Sequence, residues 1–477
     1  MIRESSLPFD TLVGTSATQG TMSRGRLRGT PFVAEPACDS PSELRALTRF
    51  DRWCRERLVK LASVLKGGRL IWVDADGEHR PAAKKAIGSV SATECRIVVS
   101  DPAAYRKILF QGDLGFADAL VDGLLHCNQL TELVRLFARN VGQVDQLGRH
   151  RANMRGLVGK LQHWLRRNNR RNAKKNIAAH YDLSNQFFGL WLDPTMSYSS
   201  GVFGDLPEGN GTPASGSYHR SRVSMQEASE EKLRRLCEKL DLKASDHLVE
   251  IGCGWGGLAI YAAQNYGCRV TGVTLSREQW AFATRRVQEL GLEDRIDLRL
   301  CDYRDLEGRY DKLVSVEMIE AVGHQYLDQY FDKCCSLLKP EGRMALQAIT
   351  IAEHRWASYQ KNVDFIREYI FPGGSLPSVG SVLRSVAQSS DFRPTHLEDM
   401  GLHYAETLRR WRTAFHGCLE QVQELGFDDR FVRMWDYYLA YCEGAFEEGH
   451  IGTVQLVLDR GASRHQAMGT TQRLGTE

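Results

Sequence analysis

The run Val249-Glu250-Ile251-Gly252-Cys253-Gly254-Trp255-Gly256-Gly257 is the segment best suited to chemistry. An apolar strand enters a glycine-rich turn, and LAIYAAQNYG continues as a helix. Glycines let the backbone pass close to a ligand, and the helix N-terminus favours negative charge. In a dinucleotide enzyme this turn would carry a pyrophosphate. Two features point away from that. GCGWGG is not GxGxxG, and the next strand, CRVTGVTLS, ends in Thr274-Leu275-Ser276 rather than in a ribose-binding acid. With Glu250 inside the motif, the set suits a methionine-derived cofactor whose ammonium and carboxylate lie near the turn. Gln279 then offers an amide to ribose hydroxyls, and Asp302 and Tyr303 flank the adenine.

These residues need a scaffold, and the alternation of strands and helices supplies one. HLVEIGC, CRVTGVTLS, RIDLRLCDY, KLVSVEM and RMALQAITI read as strands, most of them followed by helical stretches. That rhythm predicts an α/β fold with a doubly wound, mostly parallel sheet. IGTVQLVLDR is a later strand, expected as an antiparallel partner closing one edge. Upstream, LTRFDRWCRERLVKLASVL has helical spacing, GRLIWVDADGE is a strand and turn, CRIVVSDPAAYRKILF is a strand leading into a helix, and LTELVRLFARN is another helix. The expected organisation is a tail over 1–44, a smaller N-terminal α+β domain over 45–165 and the main domain over 166–477.

With 477 residues, 42% hydrophobic and 25% charged, the chain has the material for two or three globular cores. The N-terminus carries no apolar signal core, and no run approaches a membrane span, so a cytoplasmic protein is expected. Twelve cysteines without a CxxC argue against a zinc ribbon or redox motif, and no metal is expected. A net charge of +3 gives no reason to expect nucleic acid. Arg166, Arg167, Arg170, Arg171, Lys174 and Lys175 are concentrated in KLQHWLRRNNRRNAKK; the stretch reads equally as a patch for anionic headgroups or as a solvated linker helix. EGNGTPASGSYH (208–219) reads as an exposed loop.

From Asn176 to about Arg460 the chain resembles the cyclopropane-fatty-acyl-phospholipid synthase family, which includes the mycolic acid cyclopropane synthases. KNIAAHYDLSNQFF, LDPTMSYSSGVF, VEIGCGWGGLAIYAA, GVTLSREQ, SVEMIEAVG, REYIFPGGSLPS, HYAETLRRW and YCEGAFEEGHIGTVQLVL carry the resemblance. GDLGFADALVDG, within about 90–125, looks like the N-terminal domain of longer bacterial members. The resemblance implies a Rossmann-like class I methyltransferase that uses S-adenosylmethionine. Tyr198, Ser199, Gly252, Gly254, Gly256, Thr274, Leu275, Gln279, Asp302 and Tyr303 would bind that cofactor, with Glu250 inside the motif.

The implied substrate is an unsaturated acyl chain of a phospholipid, met by a peripheral protein at an anionic membrane surface; a homodimer is left open. The implied product is a cyclopropane, with a methyl- or methylene-branched chain of the tuberculostearate type as the alternative and an inactive lipid-binding protein as the remote one. Attack on the sulfonium methyl leaves a carbocation, for which Tyr369, Phe371 and Tyr404 are candidate aromatic partners. A base must then remove a proton. In the family this is a bound bicarbonate, held by a cysteine, a glutamate, a histidine and a tyrosine. Glu320 and Tyr404 match two of those positions. Ser200 and Gln347 stand where cysteine and histidine are usual. They still provide hydrogen-bond donors, but glutamine takes up neither a proton nor a charge, so the tuning of the base differs and the branched product stands as the alternative. Cys442 aligns with a cysteine once proposed as catalytic; a structural role is expected for it, an exposed or capping role for Glu443, and a structural role for His180.

Overall fold

A computed structural model of the chain describes residues 44–81, 93–141, 183–204, 206 and 221–461. The tail, the basic stretch 160–175, His180 and the loop 208–219 lie outside the described residues. All described elements belong to one unit, Ser40–Glu477.

The small N-terminal sheet is ordered β2-β1-β3-β4, from β1 (Gly68–Asp74), β2 (Gly77–His79), β3 (Thr93–Val99) and β4 (Leu125–His126). After the expected strand and turn, β2 pairs back on β1 as a hairpin, and β3 runs parallel to β1. Helices Arg49–Ala62, Ala103–Gln111, Asp113–Val121 and Leu130–Arg139 accompany it. The first begins with a capping box, in which Thr48 and Asp51 satisfy each other's backbone donors.

The main sheet is ordered β10-β11-β9-β8-β5-β6-β7. Its strands are β5 (His247–Ile251), β6 (Arg269–Thr274), β7 (Ile296–Leu300), β8 (Tyr310–Val316), β9 (Leu338–Ile351), β10 (Phe392–Asp399) and β11 (Ile451–Arg460). β5 to β9 are parallel, while β11 is antiparallel to both β9 and β10. The sheet is therefore the doubly wound, mostly parallel one expected. One placement differs: β11 lies inside the sheet, and β10 takes the edge. The reading missed β10 because FRPTHLED has five consecutive exposed residues and a proline, so no apolar alternation marks it. β11 is buried from Thr453 to Asp459, as an inner strand requires.

Alternation along the strands separates two cores. Val249, Ile251, Leu313, Met344 and Leu346 pack on one face with helices Leu327–Leu337 and Val379–Ser389. Leu248, Val270, Val314 and Ala345 pack on the other with helices Met225–Lys239 and Gly257–Tyr266. A third cluster joins the N-terminal module to the main domain through helix Asp429–Glu447. Phe116 meets Tyr437, Thr131 donates to Glu443, and Arg135 and Arg139 both donate to Glu448. Glu443 is thus buried at 5% exposure rather than exposed, because its helix lies against Leu130–Arg139. Among the described residues no helix is long and apolar enough to cross a membrane.

Candidate functional site

β5 and β6 end side by side with β8 on the far side of β5, so their C-terminal ends open onto one crevice, the usual ligand position in a parallel sheet. A cavity of about 170 Å³ occupies it. Gly252, at φ +86°, carries the chain out of β5; an added Cβ there would lie 2.9 Å from Met318 Cγ. Gly254, at φ +52°, has nothing within 4 Å of such a Cβ and faces the open cavity. Gly256 caps the following helix in the left-handed conformation.

Most of the residues expected at a cofactor come together here. Tyr198, Ser199, Glu250, Gly252, Gly254, Thr274, Leu275, Gln279 and Tyr303 all line the cavity. Thr274 donates to Gln279 Oε1, which leaves the Gln279 amide nitrogen as the donor at the wall. The Tyr198 hydroxyl shares a hydrogen bond with Tyr438. Asp302 is placed differently: it does not line the cavity, and its carboxylate holds Arg304 at 2.9 and 2.6 Å. Glu250 is nine-tenths buried, and desolvation pushes its carboxyl up to about 8, against the pull of Lys232.

Lys232 was not anticipated. It lies on helix Met225–Lys239, on the stripe formed by Ala228, Ser229, Leu233 and Leu236, and is 2% exposed. Its ammonium donates to Ser199 Oγ at 2.9 Å. Burial lowers its pKa, while Glu317, Asp193 and Glu250 oppose that shift. The sequence signal was available: a charged residue on the apolar stripe of an amphipathic helix.

Glu317 was also missed, although its neighbour Glu320 was singled out. It follows β8 directly, at φ +50°, a conformation that costs a non-glycine residue energy and concentrates at functional sites. Its amide donates to the Gln347 carbonyl. Glu317 Oε1 accepts from the Ser200 amide at 3.0 Å and from Gln347 Nε2 at 2.8 Å, and Oε2 accepts from the Tyr404 hydroxyl at 2.7 Å. Enclosure raises its pKa, and the bonds from Tyr404, Gln347 and Ser200 pull it back. Glu317 nevertheless remains on the cavity wall.

Glu320 Oε1 accepts from the Ile349 amide at 2.5 Å, and its Oε2 is buried without a partner. Desolvation, and then repulsion from Glu317, push this carboxyl up to about 8. Ser200, Gln347 and Tyr404 are thus brought together as expected, but around Glu317. That arrangement does not fit a bicarbonate held by the same three side chains, because the Gln347 amide and the Tyr404 hydroxyl already donate to Glu317, and the Ser200 hydroxyl donates to the Gly201 carbonyl.

The remaining candidates sit elsewhere. The Cys442 thiol is partly buried against the third core, does not line the cavity, and is pushed far up by burial, which keeps it a neutral thiol. Tyr404 stacks on Phe446 at 4.5 Å, Phe371 meets Tyr438 edge-on at 6.0 Å, and Tyr369 donates to Asp118. Tyr369 and Phe371 do not line the cavity.

Comparison with known proteins identifies the family. Residues 168–456 match the mycolic acid cyclopropane synthetase family. Tuberculostearic acid methyltransferase UfaA1 of Mycobacterium tuberculosis is 38% identical, over 75% of this chain and 81% of its own length. The cyclopropane-fatty-acyl-phospholipid synthase of Escherichia coli is 34% identical, over 82% of this chain and 94% of its own. Among solved structures, mycolic acid cyclopropane synthase CmaA1, complexed with SAH and CTAB, superposes with a TM-score of 0.53 at 30% identity, covering 60% of this chain and 98% of that one.

Proposed function

Since this chain belongs to the mycolic acid cyclopropane synthetase family and is an S-adenosylmethionine-dependent methyltransferase, we propose that it transfers a one-carbon unit to the double bond of an unsaturated acyl chain in a phospholipid. The observation that carries this reading is a cofactor wall whose cavity also exposes Glu317, the one cavity-lining member of a buried cluster with Ser200, Gln347 and Tyr404 packed behind it. The glycine turn, Gln279 and Tyr303 suit the amino-acid end, ribose and adenine of the cofactor. When bound there, the cofactor supplies an electrophilic methyl group. An alkene is a weak nucleophile, so the chain's part is to hold it close, exclude water and accept a proton. Loss of that proton before any hydride moves closes a cyclopropane. Loss after a hydride shift leaves an open chain with a methylene branch. The likeness to the tuberculostearic acid methyltransferase, together with Ser200 and Gln347, favours keeping the second outcome beside the first.

The test is expression in a bacterium without its own cyclopropane synthase, with fatty acid methyl esters read by mass spectrometry and proton NMR. High-field ring signals identify a cyclopropane, and olefinic methylene signals identify the alternative. Unchanged fatty acids would refute the acyl-chain reading.

A membrane approach is part of the same proposal. Phe50, Trp53 and Phe110 are 49%, 41% and 57% exposed and stack together on the N-terminal module. Arg57 lies over the Trp53 ring, and Arg49 is exposed on the same helix. Exposed aromatics beside cations suit the headgroup region of an anionic bilayer. Replacing Trp53 and Phe110 together with serine is expected to weaken sedimentation with phosphatidylglycerol vesicles by about tenfold, from the apolar area withdrawn. Cofactor affinity should not change. Vesicle binding equal to the wild type would remove this surface from consideration.

A further inference from the structure

We propose that the Glu317 carboxylate is the base that takes the proton from the newly transferred methyl group, and that it fills the cradle in which a bicarbonate would otherwise be expected. The inference rests on the acyl-chain reading above. Its grounds are geometric. Glu317 stands at the C-terminal end of β8, on the wall of the cofactor cavity and beside the glycine turn. Three donors from three distant segments converge on it: the Ser200 amide, the Gln347 side chain and the Tyr404 hydroxyl. Oε1 receives two of these bonds and Oε2 only one, so Oε2 keeps a lone pair able to accept a proton. The left-handed backbone at φ +50°, costly for a non-glycine residue, is held by the Glu317 amide's bond to the Gln347 carbonyl.

The neighbouring charges fit this role. Lys232 and Glu320 face the same region, the first favouring the carboxylate form of Glu317 and the second repelling it only when ionised. Glu320 is pushed up to about 8 by burial and by Glu317, whereas the donors from Tyr404, Gln347 and Ser200 pull the Glu317 carboxyl back towards its ionised form. The three hydrogen bonds also damp the nucleophilicity of the Glu317 oxygens, which protects them from alkylation by the carbocation.

The step balances. The π pair of the alkene forms the new C–C bond as the C–S bond breaks, and its electrons remain on sulfur. The adjacent acyl carbon becomes cationic. Glu317 Oε2 accepts a proton from the methyl carbon, and the freed C–H pair closes the ring or, after hydride migration, forms the methylene double bond. The proton returns to water when the product leaves.

The experiment uses the full chain. Glu317→Gln is expected to lower turnover by about 1000-fold, within the usual range for a lost general base, while S-adenosylmethionine affinity by calorimetry stays within about threefold of the wild type, the amide filling the same space. Wild-type turnover should be the same in carbon-dioxide-depleted buffer and in added bicarbonate. Glu317→Gly relieves the backbone and empties the cradle, so bicarbonate should raise its turnover by about 100-fold, the lower end of what one general base contributes. An activity-independent arm titrates ¹³C-bicarbonate by NMR: line broadening is expected with Glu317→Gly and not with the wild type. Wild-type turnover that needs bicarbonate, wild-type broadening, or near-full activity in Glu317→Gln would overturn the proposal. A wild type that modifies no lipid would instead overturn the acyl-chain reading, and the NMR arm would still decide what fills the cradle.

Discussion

Lys232→Met is expected to destabilise the protein by about 3–5 kcal/mol at pH 8, the usual consequence of removing one partner from buried charges. The ammonium is 2% exposed, bonded to Ser199, and is the cation that faces Glu317, Asp193 and Glu250. Without it, Glu250 and Glu317, already raised by burial, rise further. The sign follows from linkage. A carboxyl whose folded pKa exceeds its unfolded value binds more protons when folded, so stability falls as pH rises from the unfolded value towards the folded one. For Glu250 that window runs from 4.5 to about 8 in the wild type. Lys232 itself is lowered by burial, so its own cost to the wild type is greatest at low pH. The deficit of Lys232→Met should therefore be small at pH 5 and large at pH 8, as urea unfolding at the two values would show. Turnover should shift in parallel, with the acid limb of its pH profile moved upward because Glu317 ionises later. A deficit independent of pH would mean that Lys232 contributes packing rather than charge.

The contrast between residues that were readable and those that were not has a physical basis. The glycine turn was legible because its geometry is local: β5, the left-handed glycines and the helix start are consecutive. Thr274 and Gln279 were legible for the same reason, being five positions apart and bonded to each other. Glu317 was not, because its partners lie 117, 30 and 87 positions away. In the sequence EMIE the two acids are equivalent, and only the fold turns one onto the cavity wall and the other against the Ile349 amide. Asp302 looked like a ligand residue at a strand end, but Arg304 two positions on was a nearer partner. β10 escaped for the opposite reason to β5: an exposed edge strand needs no hydrophobic alternation to be held by β11. Fold class was written in the periodicity, whereas the cluster around Glu317 was written in tertiary contacts.

Two glycines of the turn should respond differently to substitution. Gly252→Ala places a Cβ 2.9 Å from Met318 Cγ at φ +86°, so the turn must shift against Met318, which follows Glu317 directly. Each such strain is worth about 1–3 kcal/mol, and both stability and cofactor affinity should fall. At Gly254 the protein leaves open space, so a side chain there meets no neighbour in the fold and projects into the room a ligand would occupy. Gly254→Ala should cost about 1 kcal/mol of stability for its left-handed backbone. Gly254→Val should in addition lower S-adenosylmethionine affinity on the order of 100-fold, the equivalent of nearly 3 kcal/mol of displaced contact. Calorimetric binding and urea unfolding of the three variants separate the two effects. If Gly254→Val binds S-adenosylmethionine as tightly as the wild type, the cofactor does not lie against this turn, and the assignment of the cavity wall fails with it.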